Sequence, residues 1–297
     1  MTIQDVAQHL KMSWHTIKEI DKAYLTRHYS KPRLKDVEYI AIDEFAYKKG
    51  RKYKTVVYDL TEGRAIFIGE GRTSETLDLF WKKIRSSGAK LKAVSTDMCP
   101  AYWGSVLKNS PNAALVFDLF HIVKLYNTCL DDIRIMLYHQ EKNIHKRQVI
   151  RSSKWVVLKN KENLSSDIKK DGKPSEARQL QLALKVNEPL AAAYYLKEEL
   201  KEIWRQEDKK QAGLELEKWV SKARSTGLRQ LIKFAKTLET HREGILNWYD
   251  HPISTGPLEG FNNKIKVLKR KAYGYRDDDY FALKILSLHE TRYALLR

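Results

Sequence analysis

The chain has 297 residues, with 55 Lys and Arg against 37 Asp and Glu, giving a net charge of +18. That length suits one large domain or two, and so strong a positive excess points to nucleic acid, or less readily an anionic membrane surface, as partner. No apolar run is long enough to cross a bilayer, the N-terminus carries Asp5 and Lys11 instead of a signal peptide, and Cys99 and Cys129 form no CxxC pair that would indicate zinc or a disulfide framework.

Residues 1–30 read as a helix-turn-helix DNA-binding segment. Thr2 is placed to cap a first helix with Val6, Ala7 and Leu10 on its inner face. Ser13 is placed to cap a second helix, with Ile17 and Ile20 inside and Trp14, His15, Lys18 and Glu19 presented to a groove. Lys11 stands at the turn position often held by glycine. An ordinary helical hairpin fits the same pattern. The basic connector that follows, with Arg27, Lys31, Arg33 and Lys35, reads as a linker able to touch phosphate.

Over 36–120 the period changes. VEYIAIDEFA, RKYKTVVYDL and RAIFIGE read as three strands joined by turns at Lys48–Gly50 and Asp59–Gly63. Thr73 caps a helix that Gly88 ends, LKAVSTD is a fourth strand, a helix runs from Pro100 to Leu107, and AALVFD is a fifth strand. The order βββαβαβα is that of a ribonuclease H-like fold, an α/β mixed sheet flanked by helices. From 121 to 250 strand signals vanish. Helical segments at about 119–147, 174–210, 212–223 and 228–248, with a polar break over 160–174, read as a large all-helical insertion. In it Trp155, Trp204, Trp219 and Trp248 are expected mainly in the core. Residues 251–297 return to the catalytic core with a final helix.

The chemistry rests on three carboxylates. Asp43 ends the buried run YIAID, Asp97 ends LKAVSTD, and Glu259 stands at the start of the last basic helix. If the first and fourth strands are neighbours, Asp43 and Asp97 meet at one sheet edge. Three carboxylate oxygens suit one or two Mg²⁺ ions, and two such ions promote phosphoryl transfer. An Asp after a strand is also a common turn former. Glu44 is expected on the opposite sheet face in a structural role, and Asp118 as the cap of the helix that follows it. His121 has a sharper reading, as a donor or proton carrier at the scissile phosphate. Tyr102 and Trp103 fit either the core or a stacking platform. Asn262, Asn263, Lys264, Lys266, Lys269, Arg270, Lys271 and Arg276 read as DNA-backbone contacts, or as a solvated face.

Three long motifs, AIDEFAYKKGRKYKTVVYDL, VSTDMCPAYWGSVLKNSPNAALVFDLFHIVK and STGPLEGFNNKIKVLKRKAYGYRD, resemble the DDE transposases of the ISL-three group of bacterial insertion sequences. The resemblance runs over about 36–290. It implies a ribonuclease H-like core whose metal ligands fall on Asp43, Asp97 and Glu259, with Mg²⁺ or Mn²⁺ as cofactor. It further implies cleavage and strand transfer on double-stranded DNA, at terminal repeats and target, by a homodimer or larger assembly in the bacterial cytoplasm, at the nucleoid. Members of that group usually begin with a cysteine-rich zinc-binding segment, whereas this chain starts at the helix-turn-helix. A catalytically silent DNA-binding remnant or regulator is the alternative reading.

Overall fold

The computed structural model describes residues 2–48, 50, 52–167 and 174–289. Two compact units form: Met1–Asp118 with His251–Arg297, and Leu119–Asp250.

In the first unit, Thr2 opens α1 (Ile3–Leu10) through a capping box in which Thr2 and Asp5 satisfy each other's backbone N–H. Lys11 ends it in the left-handed region at φ 52°, doing what glycine does most cheaply. Ser13 caps α2 (Trp14–Tyr29) by accepting from the Thr16 N–H. The inner faces differ from expectation. Ala7, Ile17 and Leu25 are buried, while Leu10 is 53% and Ile20 57% exposed. The inward stripe of α2 follows the i, i+4 row through Ile17, Asp21 and Leu25, which turns Ile20 outward.

Three strands follow, β1 (Tyr39–Lys48), β2 (Lys52–Asp59) and β3 (Arg64–Glu70). Part of the expected turn after Lys48 lies outside the described residues. At the second turn Asp59 accepts from the Thr61 N–H and Gly63 supplies φ 70°. Thr73 starts a single 3₁₀ turn that leads into α3 (Asp78–Ser87), and Gly88 ends α3 at φ 72°. Then come β4 (Ala93–Thr96), α4 (Pro100–Asn109) and β5 (Ala114–Phe117).

The second unit is helical: α5 (Leu119–Gln140), α6 (Ile144–Ser152), α7 (Lys154–Leu158), α8 (Glu176–Val186), α9 (Glu188–Leu200), α10 (Lys209–Ser225), α11 (Arg229–Thr240) and α12 (Arg242–Leu246). Its core is an aromatic triangle. Tyr126, Trp219 and Phe234 meet edge to face, with Tyr126 and Phe234 centroids 4.9 Å apart. The polar tips are satisfied: Tyr126 donates to the Ala193 carbonyl and Trp219 to that of Leu196. Of the expected polar break, 168–173 lies outside the described residues. Trp204 and Trp219 are buried as expected, but Trp155 is 71% exposed. The buried positions of its short helix are Val156 and Val157, which leaves Trp155 on the outer side.

The chain returns to the first unit with α13 (Gly256–Lys271) and α14 (Asp278–Leu286). The five-stranded sheet has the order β3-β2-β1-β4-β5, with β1, β2 and β3 antiparallel and β1, β4 and β5 parallel. Alternation along β1 gives each face its own core. Ile40 and Ile42 pack with Leu77, Phe80, Trp81 and Tyr102 on one side. Ala41, Phe45 and Tyr47 pack with Leu258, Phe261, Ile265 and Phe281 on the other. No helix of the described residues is long and apolar enough to cross a membrane.

Candidate active site and nucleic-acid face

The parallel strands bring three aspartates to one level. Ile42 of β1 pairs with Thr96 of β4, and Thr96 with Phe117 of β5. The next residues are Asp43, Asp97 and Asp118. Each preceding stretch is largely buried, so a carboxylate is tolerated only where the strand meets polar partners.

Those partners differ. Asp43 accepts from the Glu44 N–H and from the Asn262 amide, each at 2.8 Å. Asp97 accepts from the Cys99 N–H at 3.0 Å, an Asx turn that starts α4. Asp118 is 5% exposed and spends one oxygen on Thr255, accepting from its N–H at 3.0 Å and from its hydroxyl. Thr255 is itself buried, and its carbonyl accepts from the Glu259 N–H at 2.8 Å. The aspartate expected to cap α5 therefore pins the start of the helix that carries Glu259.

Glu259 lies in the first turn of α13, on the exposed side. Its charge opposes the positive end of the helix dipole. Asn262 follows three positions later, buried, and links α13 to Asp43. Among the described residues no three His, Cys, Asp or Glu side chains are gathered as a metal-holding group. The donor chemistry nevertheless suits a hard divalent cation: carboxylates on adjacent parallel strands, and polar atoms near them with unused capacity. Asn262 Oδ1, Glu44 Oε2, Ser95 Oγ and Thr96 Oγ1 are all buried without a hydrogen-bond partner.

Glu44, expected in a structural role, also takes part electrostatically in this neighbourhood. Burial, and next the negative charge of Asp97, push its carboxyl above the usual range. The Tyr102 ring is fully buried, which settles its role as core, and burial followed by the Glu44 charge drives its hydroxyl upward. The only hint in the sequence was the adjacency of two acids at the end of an apolar run. The Asp118–Thr255 link had no hint, since its partners are 137 residues apart.

The cations of α13 divide cleanly from its core. Leu258, Phe261, Asn262 and Ile265 face the sheet, while Asn263, Lys264, Lys266, Arg270 and Lys271 are exposed and Lys269 is half-buried. Arg276 is also exposed, just after Tyr273 and Gly274 turn the chain through positive φ. In the N-terminal helices Trp14 and His15 point outward. Lys18 departs from expectation. Its ammonium lies 2.7 Å from Asp277, with Lys22 at 2.9 Å, so it holds α2 to the start of α14 and is not left for phosphate. Asp21 completes that joint with Lys284 and the Tyr280 hydroxyl, over an apolar contact of Leu25 with Tyr280 and Leu283. His121 stands in the first turn of α5, half-buried, with Nδ1 lacking a partner.

A family profile described as Transposase, of the DDE type and ISL-three group, matches residues 40–285. The chain is 38% identical over 286 residues to the transposase for insertion sequence element IS1001 of Bordetella parapertussis, covering 95% of this chain and 68% of that one. It is 26% identical over 310 residues to the transposase for insertion sequence element IS1557 of Mycobacterium tuberculosis, covering 95% of this chain and 67% of that one. The chain belongs to the ISL-three family of DDE transposases, the DNA-cleaving enzymes of insertion sequences.

Proposed function

We propose that the chain cuts a strand at the terminal repeats of its insertion sequence and joins the freed 3′ ends to target DNA, with Asp43, Asp97 and Glu259 as metal ligands. The observation that carries this reading is the seating of Asp43 and Asp97 on adjoining parallel strands, with the Glu259 helix bonded to Asp43 through Asn262. DDE transposases generally use divalent metal, and Mg²⁺, with Mn²⁺ as substitute, matches an all-oxygen donor set. Bound there, the ions would stabilise charge on the attacking and leaving oxygens of phosphoryl transfer. The sheet order and the helix packed over its β1 face agree with a ribonuclease H-like core, and the capped pair α1–α2 agrees with a helix-turn-helix.

The protein's own groups supply orientation and charge. The Glu44 N–H and the Asn262 amide fix the Asp43 carboxylate, and the Cys99 N–H fixes that of Asp97. Asp118 and Thr255 hold the first turn of α13. Lys264, Lys266, Lys269, Arg270, Lys271 and Arg276, with Asn263, Trp14 and His15, would neutralise or grip the duplex, since phosphate contacts dominate affinity. His121 is proposed as a hydrogen-bond donor to the cleaved phosphate. Two DNA ends handled together call for a homodimer or larger assembly.

The test is a nicking and strand-transfer assay with the purified chain, Mg²⁺ or Mn²⁺, and a labelled duplex carrying the flanking repeat. Nicks with free 3′-hydroxyls, lost in Asp97→Asn and Glu259→Gln, support the reading. A second reading, a DNA-binding remnant, is favoured by the outward position of Glu259. Tight binding without nicking under either metal would establish it.

A further inference from the structure

We infer that the outer face of α6 and α7 is a second DNA-binding surface, which grips a strand end and stacks an unpaired base on Trp155. Residues 142–161 carry seven Lys or Arg and no Asp or Glu. Ile144, Arg147, Arg151 and Trp155 are spaced by 3, 4 and 4 residues, the spacing of one helical face. Ser153 joins the two helices in a right-handed helical conformation, so the face runs on from α6 into α7. The opposite face buries Ile150, Val156 and Val157.

On the outer face Ile144 is 75% and Trp155 71% exposed. A lone exposed apolar residue means little, but two at the ends of a basic stripe form a patterned surface. Most of the cations in and beside this stripe are unspent. Lys142, Lys146, Arg147 and Arg151 have no acidic partner among the described residues, whereas Lys154 and Lys159 are paired with Asp131 and Glu176. Arg147 is held over the Tyr138 ring at 4.6 Å, which orders its guanidinium at little entropic cost. Lys154 lies 5.4 Å from the Trp155 ring centroid and steadies the indole from one side.

The charge selects the occupant. A second copy of a chain with net charge +18 would be repelled by this face, while a polyanion is drawn to it. The stripe from Ile144 to Trp155 spans roughly 16 Å at 1.5 Å per residue, about five steps of a DNA strand. An indole does not stack on bases that are already stacked in a duplex, so a bare Trp beside phosphate-binding arginines suits a nucleotide displaced or unpaired at a cut end. The inference rests on the DNA reading given above and deepens it.

The experiment uses the full chain and two labelled probes of equal length: a fully paired duplex, and the same duplex with its terminal bases unpaired. Trp155→Ala is expected to weaken binding to the unpaired-end probe by at least about fivefold and to leave the paired probe within twofold. Trp155→Phe should keep most of the affinity. Arg147→Gln with Arg151→Gln should weaken both probes and lower the salt slope by about two. Unchanged binding of both probes by Trp155→Ala, or equal losses on both, would overturn the stacking inference while leaving DNA binding intact. If Trp155→Ala instead converted an oligomer to a monomer at unchanged DNA affinity, the face would belong to a second copy and the inference would fall. A wild-type chain that binds neither probe would sink the parent reading, and this one with it.

Discussion

Asp118→Asn tests the link between the end of β5 and the start of α13. The substitution keeps the shape and one acceptor oxygen, which can still take both Thr255 donors, but it removes the negative charge from both of those bonds. Asp118 and Thr255 are 5% and 2% exposed, so water does not make good the loss. Two charge-assisted hydrogen bonds become neutral ones, each losing roughly half of its about 1.5–3 kcal/mol. A total of roughly 1.5–3 kcal/mol in a unit of this size lowers the melting temperature by roughly 3–12 °C. Below that melt the helix start should still be loose, and a misplacement of about 1 Å at a reacting centre costs about 100-fold in rate. DNA affinity should hold, because the exposed cations of α13 are untouched. Thr255→Ser keeps both donors and should stay within about 1 kcal/mol of the parent. The assays are thermal melting, and nicking under saturating DNA at a temperature where every variant is folded. A melt within about 2 °C together with nicking within twofold would refute the anchor. A large melt with undiminished nicking would refute the positioning role alone.

Glu259→Gln is expected to preserve melting and DNA affinity while abolishing nicking, as measured on the labelled duplex. Retained nicking would remove Glu259 from the ligand set. Lys18 and Lys22 hold α2 to α14. Burial pushes the Asp277 carboxyl up, but hydrogen bonds from both lysines outweigh it and hold it well below the usual carboxylate range. A carboxyl lowered on folding stabilises the joint above its unfolded pKa, and that support is lost as pH falls through the folded value. The joint should therefore be intact at neutral pH and loosen only in acid. Asp277→Asn should reproduce the acid state at pH 7, seen as faster proteolysis between residues 30 and 36. Binding of duplex DNA should fall steeply with salt, with a log–log slope set by the number of phosphates contacted, and a flat response would contradict the polyanion argument. Trp219→Ala should cost about 3–5 kcal/mol in melting of the helical unit, since the indole fills its aromatic triangle.

Much of the layout was legible because it depends on local pattern. The strand runs around Asp43 and Asp97 are apolar enough that only a sheet interior could hold them, and turn chemistry at Asp59, Gly63 and Gly88 marked their ends. Caps at Thr2 and Ser13 were readable for the same reason, since a side chain three residues from its backbone partner is a sequence-local event. The inner faces were harder. Ile17 and Ile20 both sit at helical spacing, and that spacing alone does not decide that Ile17 turns in and Ile20 out. Trp155 misled because size and apolarity predict burial. Its neighbours Val156 and Val157 take the inward positions of a helix only five residues long. The bonds from Asn262 to Asp43 and from Asp118 to Thr255 join residues more than a hundred positions apart. No pattern within either segment carries that information.

The row of three aspartates shows why position in a sheet does not by itself assign a role. Asp43, Asp97 and Asp118 follow residues paired in register across β1, β4 and β5, so backbone geometry treats them alike. Burial and partners separate them. Asp118 is enclosed, and one of its oxygens is committed to both donors of Thr255, so it serves as an anchor of the turn that carries Glu259. Asp43 and Asp97 are less enclosed and take backbone or amide donors that orient a carboxylate without neutralising it. On the proposed reading a cation would be drawn between the first two strands, and the third aspartate would act on the reaction through the helix that it holds. This division yields a pairwise test. Asp97→Asn combined with Asp118→Asn should lose no more nicking than Asp97→Asn alone, because a misplaced Glu259 has no site left to complete. Their effects on melting should add, since the two carboxylates stabilise different turns.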